Sequence, residues 1–190
     1  MEKKTLPRGF ERFAVLIPHR DVEALAEGYK KRLFRAGLLG AYSFPVAAPL
    51  GIVSRPLTEA ELKALACSVR ALTCAEGRDG KITLGEPHIL PYPDGGPRLF
   101  GLRLDLPPPE FPAGTLLREF SAVVLCAGFQ DGTNALAEIP PPAGFFRAAM
   151  IANMVIRPLA SGAKGYSFEW KIGVPVWLPK YRFSKNISLP

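Results

Sequence analysis

One short apolar element occurs twice in this chain, each time stopped by the same three residues, and this constrains the fold more than any other feature. Ile52-Val53-Ser54-Arg55-Pro56-Leu57 and Met154-Val155-Ile156-Arg157-Pro158-Leu159 both read as a strand that ends at a proline. Extending the alignment back to Ala47 and Ala149 gives five identities in eleven positions. With 20 prolines in 190 residues a shared tripeptide means little, so the weight rests on the flanks. A repeated strand suggests two similar units sharing one core.

Around the two copies the chain alternates helix and strand signals. Arg12 to Pro18 is a dense apolar run closed by proline, which predicts a buried strand. Asp21 is placed to cap a helix that carries Val22, Leu25, Ala26, Tyr29, Leu33 and Phe34 at helical spacing, and Gly37 is placed to end it. Tyr42 to Ser54 is strand-like, though interrupted by Pro45 and Pro49. Thr58-Glu59-Ala60-Glu61 is a capping box, and the helix it opens turns Leu62, Leu65, Ala66, Val69 and Leu72 inward. Residues 81–90 and 98–106 alternate around Pro93-Asp94-Gly95-Gly96-Pro97, which predicts a hairpin. A short helix is expected near Thr115–Phe120, residues 121–129 fit either helix or strand, and the alternation from Tyr166 to Trp177 predicts a long late strand. This mixed order gives an α+β fold, a single domain over residues 1–190 with lobes of about 12–110 and 111–180.

Composition narrows the function classes. Hydrophobic residues at 48% and charged residues at 22% fit a packed domain, not a disordered chain. No run approaches the roughly 18–20 apolar residues of a membrane span. The opening apolar stretch is cut short at Pro18-His19-Arg20-Asp21, against a signal peptide. Cys67, Cys74 and Cys126 form no paired motif, and Cys67 and Cys74, seven apart, are expected on one buried helix face. Reduced thiols and a cytoplasmic location are the resulting expectations. The net charge of +7 and pI near 9.5 favour an anionic partner, a nucleotide or RNA, while the lack of a long apolar run leads to an expectation of no membrane. No phosphate loop, zinc-ligand spacing or serine-nucleophile motif occurs, so no cofactor is expected.

The order of elements, from RFAVLIP through LTEAELKAL and GKITLGEPHIL–RLFGLRLDL to the second proline-stopped copy, resembles that of the 2H phosphoesterases, which include the 2′-5′ RNA ligase-like proteins and cyclic phosphodiesterases. The resemblance spans about residues 12–178 and implies two pseudo-symmetric α/β lobes around a concave groove. It also implies a His-x-Thr/Ser motif in each lobe, one histidine acting as acid and the other as base. The corresponding stretches here are Pro49-Leu50-Gly51 and Ile151-Ala152-Asn153, and neither contains a histidine. No histidine lies beyond residue 88. His19 and His88 read as surface or hydrogen-bonded structural residues, and the His19-Arg20-Asp21 match to a kinase catalytic loop is coincidental.

A divergent relative without its histidines would bind a phosphate-bearing ligand, such as a nucleotide or an RNA end, without hydrolysing it. Arg55 and Arg157 at equivalent places, with Asn153 and Gly51 beside them, are the candidate ligand-binding residues, because the arginine fork suits phosphate oxygens. The run from Trp170 to Arg182 interleaves aromatic and basic side chains, as single-strand binders do and as a core strand with a basic tail also does. An enzyme of phosphodiesterase type in the same groove is one alternative. A protein–protein interaction module is another.

Overall fold

The computed structural model describes residues 11–75, 79–90, 98–120, 122–129, 139–159 and 167–179. It is an α+β fold with two antiparallel sheets and, among the described residues, two α-helices. The first strand, β1 (Glu11–Pro18), is the buried run expected, and Phe13, Ala14, Val15 and Leu16 are fully enclosed. Helix α1 (Arg20–Arg35) follows at once. Its N-cap is His19, not Asp21; the Asp21 carboxylate lies within the first turn and accepts from the Val22 N–H at 2.9 Å. Gly37, at φ +96°, ends the helix as read: its N–H reaches the Phe34 carbonyl and that of Leu38 reaches Leu33, a Schellman closure. Val22, Ala26, Tyr29 and Leu33 are buried. Leu25 and Phe34, which share that spacing, are exposed, and Phe34 packs edge-on against Tyr42 of the 3₁₀ turn Leu39–Tyr42 at 5.3 Å.

β2 (Ala48–Val53) carries the first copy of the repeated element, and α2 (Glu59–Cys74) follows with both halves of its capping box formed. Leu62, Leu65, Ala66, Val69 and Thr73 form its buried stripe. Cys67 falls off that stripe and is exposed, and Cys74 is half-buried, so the expectation that they share a buried face is corrected. β3 (Ile82–Leu90) and β4 (Arg98–Asp105) form the hairpin, whose turn lies outside the described residues. The helix expected near Thr115–Phe120 is instead β5 (Leu116–Glu119). The Ser54 N–H donates to Thr115 and that of Phe120 to Leu50, so β2 offers this segment inter-strand bonds that outweigh a four-residue helical preference. Residues 122–129 are the strand β6 (Ala122–Phe129), followed by β7 (Phe145–Phe146) and the second copy in β8 (Ala148–Leu159). The late strand is broken at Gly173–Pro175 into β9 (Ser167–Ile172) and β10 (Val176–Trp177), both paired to β8.

The larger sheet runs β10-β8-β1-β2-β5 with β9 also on β8, and the smaller runs β6-β4-β3-β7. Strands from beyond residue 110 therefore enter both sheets. The two copies flank β1 in one sheet, both antiparallel to it. Ala14 pairs with Gly51 on one side and Asn153 on the other, and Phe13 pairs with Ile52 and Met154. At Phe13 and Ala14 residues aligned in sequence thus stand level across the same strand, and past Ala14 a shift in the β1–β2 register offsets the two copies by one residue. One face of this sheet packs Phe13, Val15, Ile52, Met154 and Ile156 with Phe44, Phe120 and Phe168. The other packs Ala14, Leu16, Leu50 and Ile151 against both helices and the smaller sheet, through Ile82, Phe100, Leu102 and Phe146.

Candidate functional site

The four residues singled out by sequence stand in unlike surroundings. The Gly51 backbone lies so close to its neighbours that an added Cβ would come within 2.5 Å of Leu116 Cδ1 and 2.9 Å of Phe111 Cζ. Across β1, Asn153 clasps the segment leading into α2: its Oδ1 accepts from the Leu57 N–H and its Nδ2 donates to the Leu57 carbonyl, both at 2.8 Å. Arg55 leaves the sheet with the chain and meets Glu61 in a two-point ion pair at 2.6 and 2.8 Å. The Arg55 guanidinium, then the Thr58 N–H, hold the Glu61 carboxyl down to about 2. Arg157 stays in β8, exposed, with its Cα opposite that of Glu169. Both arginines lie beyond the Glu11 end of β1, but where β8 continues as a strand the first copy turns into a helix. Gly51 and Asn153 are brought level across β1, whereas Arg55 is engaged by Glu61 and Arg157 stays in its strand.

The opposite end of β1 is built differently. An eight-residue strand is roughly 25 Å long, and at its Pro18 end a cleft of about 500 Å³ opens. Its lining brings together His19, Arg70, Lys81 and Arg147, with Asp79 as the carboxylate among the described lining residues. Each comes from an element boundary. His19 caps α1 and its N–H donates to the Arg147 carbonyl at 2.8 Å, fixing the junction between β7 and β8 beside the helix start. Arg70, Thr73 and Cys74 lie in the last turns of α2. The Asp79–Gly80 turn, with φ of +49° and +71°, delivers Lys81 and is tied to α2 by the Gly80 N–H on the Thr73 carbonyl. Phe145 carries two cations: Lys81 Nζ stands 5.0 Å from its ring centroid and the Arg147 guanidinium carbon 5.5 Å.

His19 Nδ1 lies 2.7 Å from Asp21 Oδ1, and this hydrogen bond lowers the Asp21 pKa below the usual carboxylate range. Trp177, Leu178 and Pro179 close the far side of the cleft. Around the N-terminus of a 16-residue helix, two arginines, a lysine and an imidazole line the cleft with one carboxylate, a surface suited to an anion. Among the described residues no group of three His, Cys, Asp or Glu side chains stands where it could share a metal ion, and no helix is long and apolar enough to cross a membrane.

Sequence reading passed over Arg70, Lys81 and Arg147 and set His19 aside. They are scattered over more than a hundred positions, and no spacing rule joins them. The one local signal was that His19 and Asp21 open a helix directly after a buried strand. His88 lies in β3, and its side chain is outside the described residues.

No protein-family model, no curated protein and no solved structure matches this chain.

Proposed function

We propose that this protein binds a phosphate-bearing ligand, of the class that includes nucleotides and RNA ends, in the cleft at the Pro18 end of β1. The observation that carries this reading is the convergence of His19, Arg70, Lys81 and Arg147 on one concave surface beside a helix N-terminus. The ligand is thereby moved from the Arg55 and Arg157 end, where Arg55 and Asn153 are already engaged by Glu61 and Leu57. Kinship with the 2H phosphoesterases and their lobed, grooved architecture belongs to the same proposal. Its support is the repeated strand standing level on both sides of β1, with Trp177 rimming the concave surface.

Tryptophan fluorescence provides the test. Inorganic phosphate and a short single-stranded RNA ending in a 2′,3′-cyclic phosphate are each titrated at two salt concentrations. Salt-sensitive binding is expected, weakened about tenfold by Arg147→Ala and unchanged by Arg157→Ala, since a charge-assisted hydrogen bond contributes about 1.5–3 kcal/mol. Equal loss in both variants, or no binding at low salt, removes the assignment.

The His19–Asp21 pair favours a second reading, an enzyme of phosphodiesterase type. A carboxylate on Nδ1 holds that nitrogen protonated and leaves Nε2 to accept a proton, the usual preparation of a histidine base. Cleavage of the cyclic phosphate that is lost in His19→Gln, with binding retained, would establish it; an intact RNA end after long incubation would dismiss it.

A further inference from the structure

Next to the basic cleft, along the same helix, lies a larger trough of about 770 Å³ to which nothing so far assigns a role. We propose that it is the second half of the same site and receives a planar heteroaromatic ring, which makes the ligand a nucleoside monophosphate. This inference rests on the anion reading above.

The trough and the cleft share Trp177 and Pro179 as a common wall, while α2 forms the opposite side of both. Moving along α2 from Ala66 and Cys67 in the trough to Thr73 and Cys74 in the cleft covers two turns, roughly 10 Å. That is the length scale of a base, a ribose and one phosphate. The trough is apolar where the cleft is charged: Leu57, Leu62, Ala66, Val176 and Pro175 form its walls. Its polar groups are already occupied. Both amide atoms of Asn153 are held by Leu57, and Lys63 pairs with Glu59 at 2.7 Å. A phosphate gains little there, whereas a flat ring gains contact on both faces.

The break between β9 and β10 creates this shape. Pro175 has no N–H to give β8, and Gly173 is the last residue to bond it before the gap, donating to the Asn153 carbonyl at 2.9 Å. The chain then lifts away at Val174, 88% exposed, and returns to β8 as β10, where the Trp177 side chain is 70% exposed. An aromatic that open beside a basic cleft is what a base stacks upon. The trough lies within the roughly 300–1,000 Å³ of small-molecule sites.

Each cavity contains its own reporter, Cys67 in the trough and Cys74 in the cleft. Alkylation of the intact chain by a small maleimide is followed by peptide mapping, which separates these two from Cys126. Inorganic phosphate is expected to slow Cys74 alone. Adenosine monophosphate is expected to slow both cysteines several-fold. The substitution Cys67→Trp, which fills the open wall of the trough, should weaken adenosine monophosphate about tenfold and leave phosphate unchanged. If adenosine monophosphate protects Cys74 but not Cys67, the ring subsite is wrong and the anion reading stands. If neither compound slows either cysteine, both fall. The alkylation pattern decides the matter without the variant should Cys67→Trp fail to fold.

Discussion

The two ends of α2 meet the same sheet and are chemically opposite. At the Thr58 end polar groups find one another: Asn153 with Leu57, Arg55 with Glu61, and Thr58 with Glu61. At the Cys74 end Lys81 and Arg147 line a cleft whose described lining offers one carboxylate. A polar group that is matched within the chain contributes to keeping the chain folded. An excess of one sign around a cavity raises the potential inside it and attracts a counter-charge from outside. The contrast separates residues that hold the fold from residues that can bind, although both sets are rich in arginine.

If this division is real, variants at one end should lower stability and spare binding, and variants at the other should do the reverse. The largest effect is expected from Asn153→Ala. It strands the N–H and carbonyl of Leu57 beside a nearly buried segment, and loss of two such bonds costs about 2–3 kcal/mol. Urea denaturation measures this, and phosphate affinity should not change. Next comes Gly51→Ala, whose methyl must push aside Leu116 and Phe111; overpacking of this kind costs about 1–3 kcal/mol, read as a lower urea midpoint at constant slope. Thr58→Ala removes the cap from α2 at about 1 kcal/mol, again without touching phosphate affinity.

At the other end, Lys81→Ala should leave the urea midpoint within about 0.5 kcal/mol of the parent, as exposed substitutions do, while weakening phosphate severalfold. A matching fall in stability would blur the contrast. The smallest effect is in acid. Glu61 titrates lower in the folded chain than the roughly 4.3 of an unfolded glutamate, so its contribution is complete above that value and lost as pH falls toward about 2. The difference in stability between the parent and Glu61→Gln should therefore shrink between about pH 4.5 and 2. A constant difference across that window would mean the Arg55 pair does not form in solution.

The parts of the fold readable in sequence were those whose instructions are local. The capping box at Thr58, the glycine at 37 and the apolar run of β1 each specify their element within a few residues. β5 was not readable because Leu116–Glu119 is a strand only by virtue of β2 beside it. The repeated element was legible, and its two copies do stand level on β1. The Glu61 partner of Arg55 was not, because the chain takes a different course after each copy. The first leads into a helix whose Glu61 takes Arg55, and the second is a strand that runs on past Arg157. The cleft was the least legible part. Sheet pairing and a tight turn assemble it from the ends of five segments, and periodicity carries no trace of that.

The ring of Phe145 has one further consequence. Lys81 and Arg147 are long side chains, each with rotamer freedom worth up to about 2 kcal/mol when fully lost. Resting both cations against one ring restricts them before any anion arrives. An incoming ligand then orders less of the protein than it would on a bare surface, so more of the contact energy appears as affinity. Replacing Phe145 by leucine would keep the bulk and every charge while loosening both arms. The loss should be largely entropic, visible by calorimetry as a weaker constant with little change in heat.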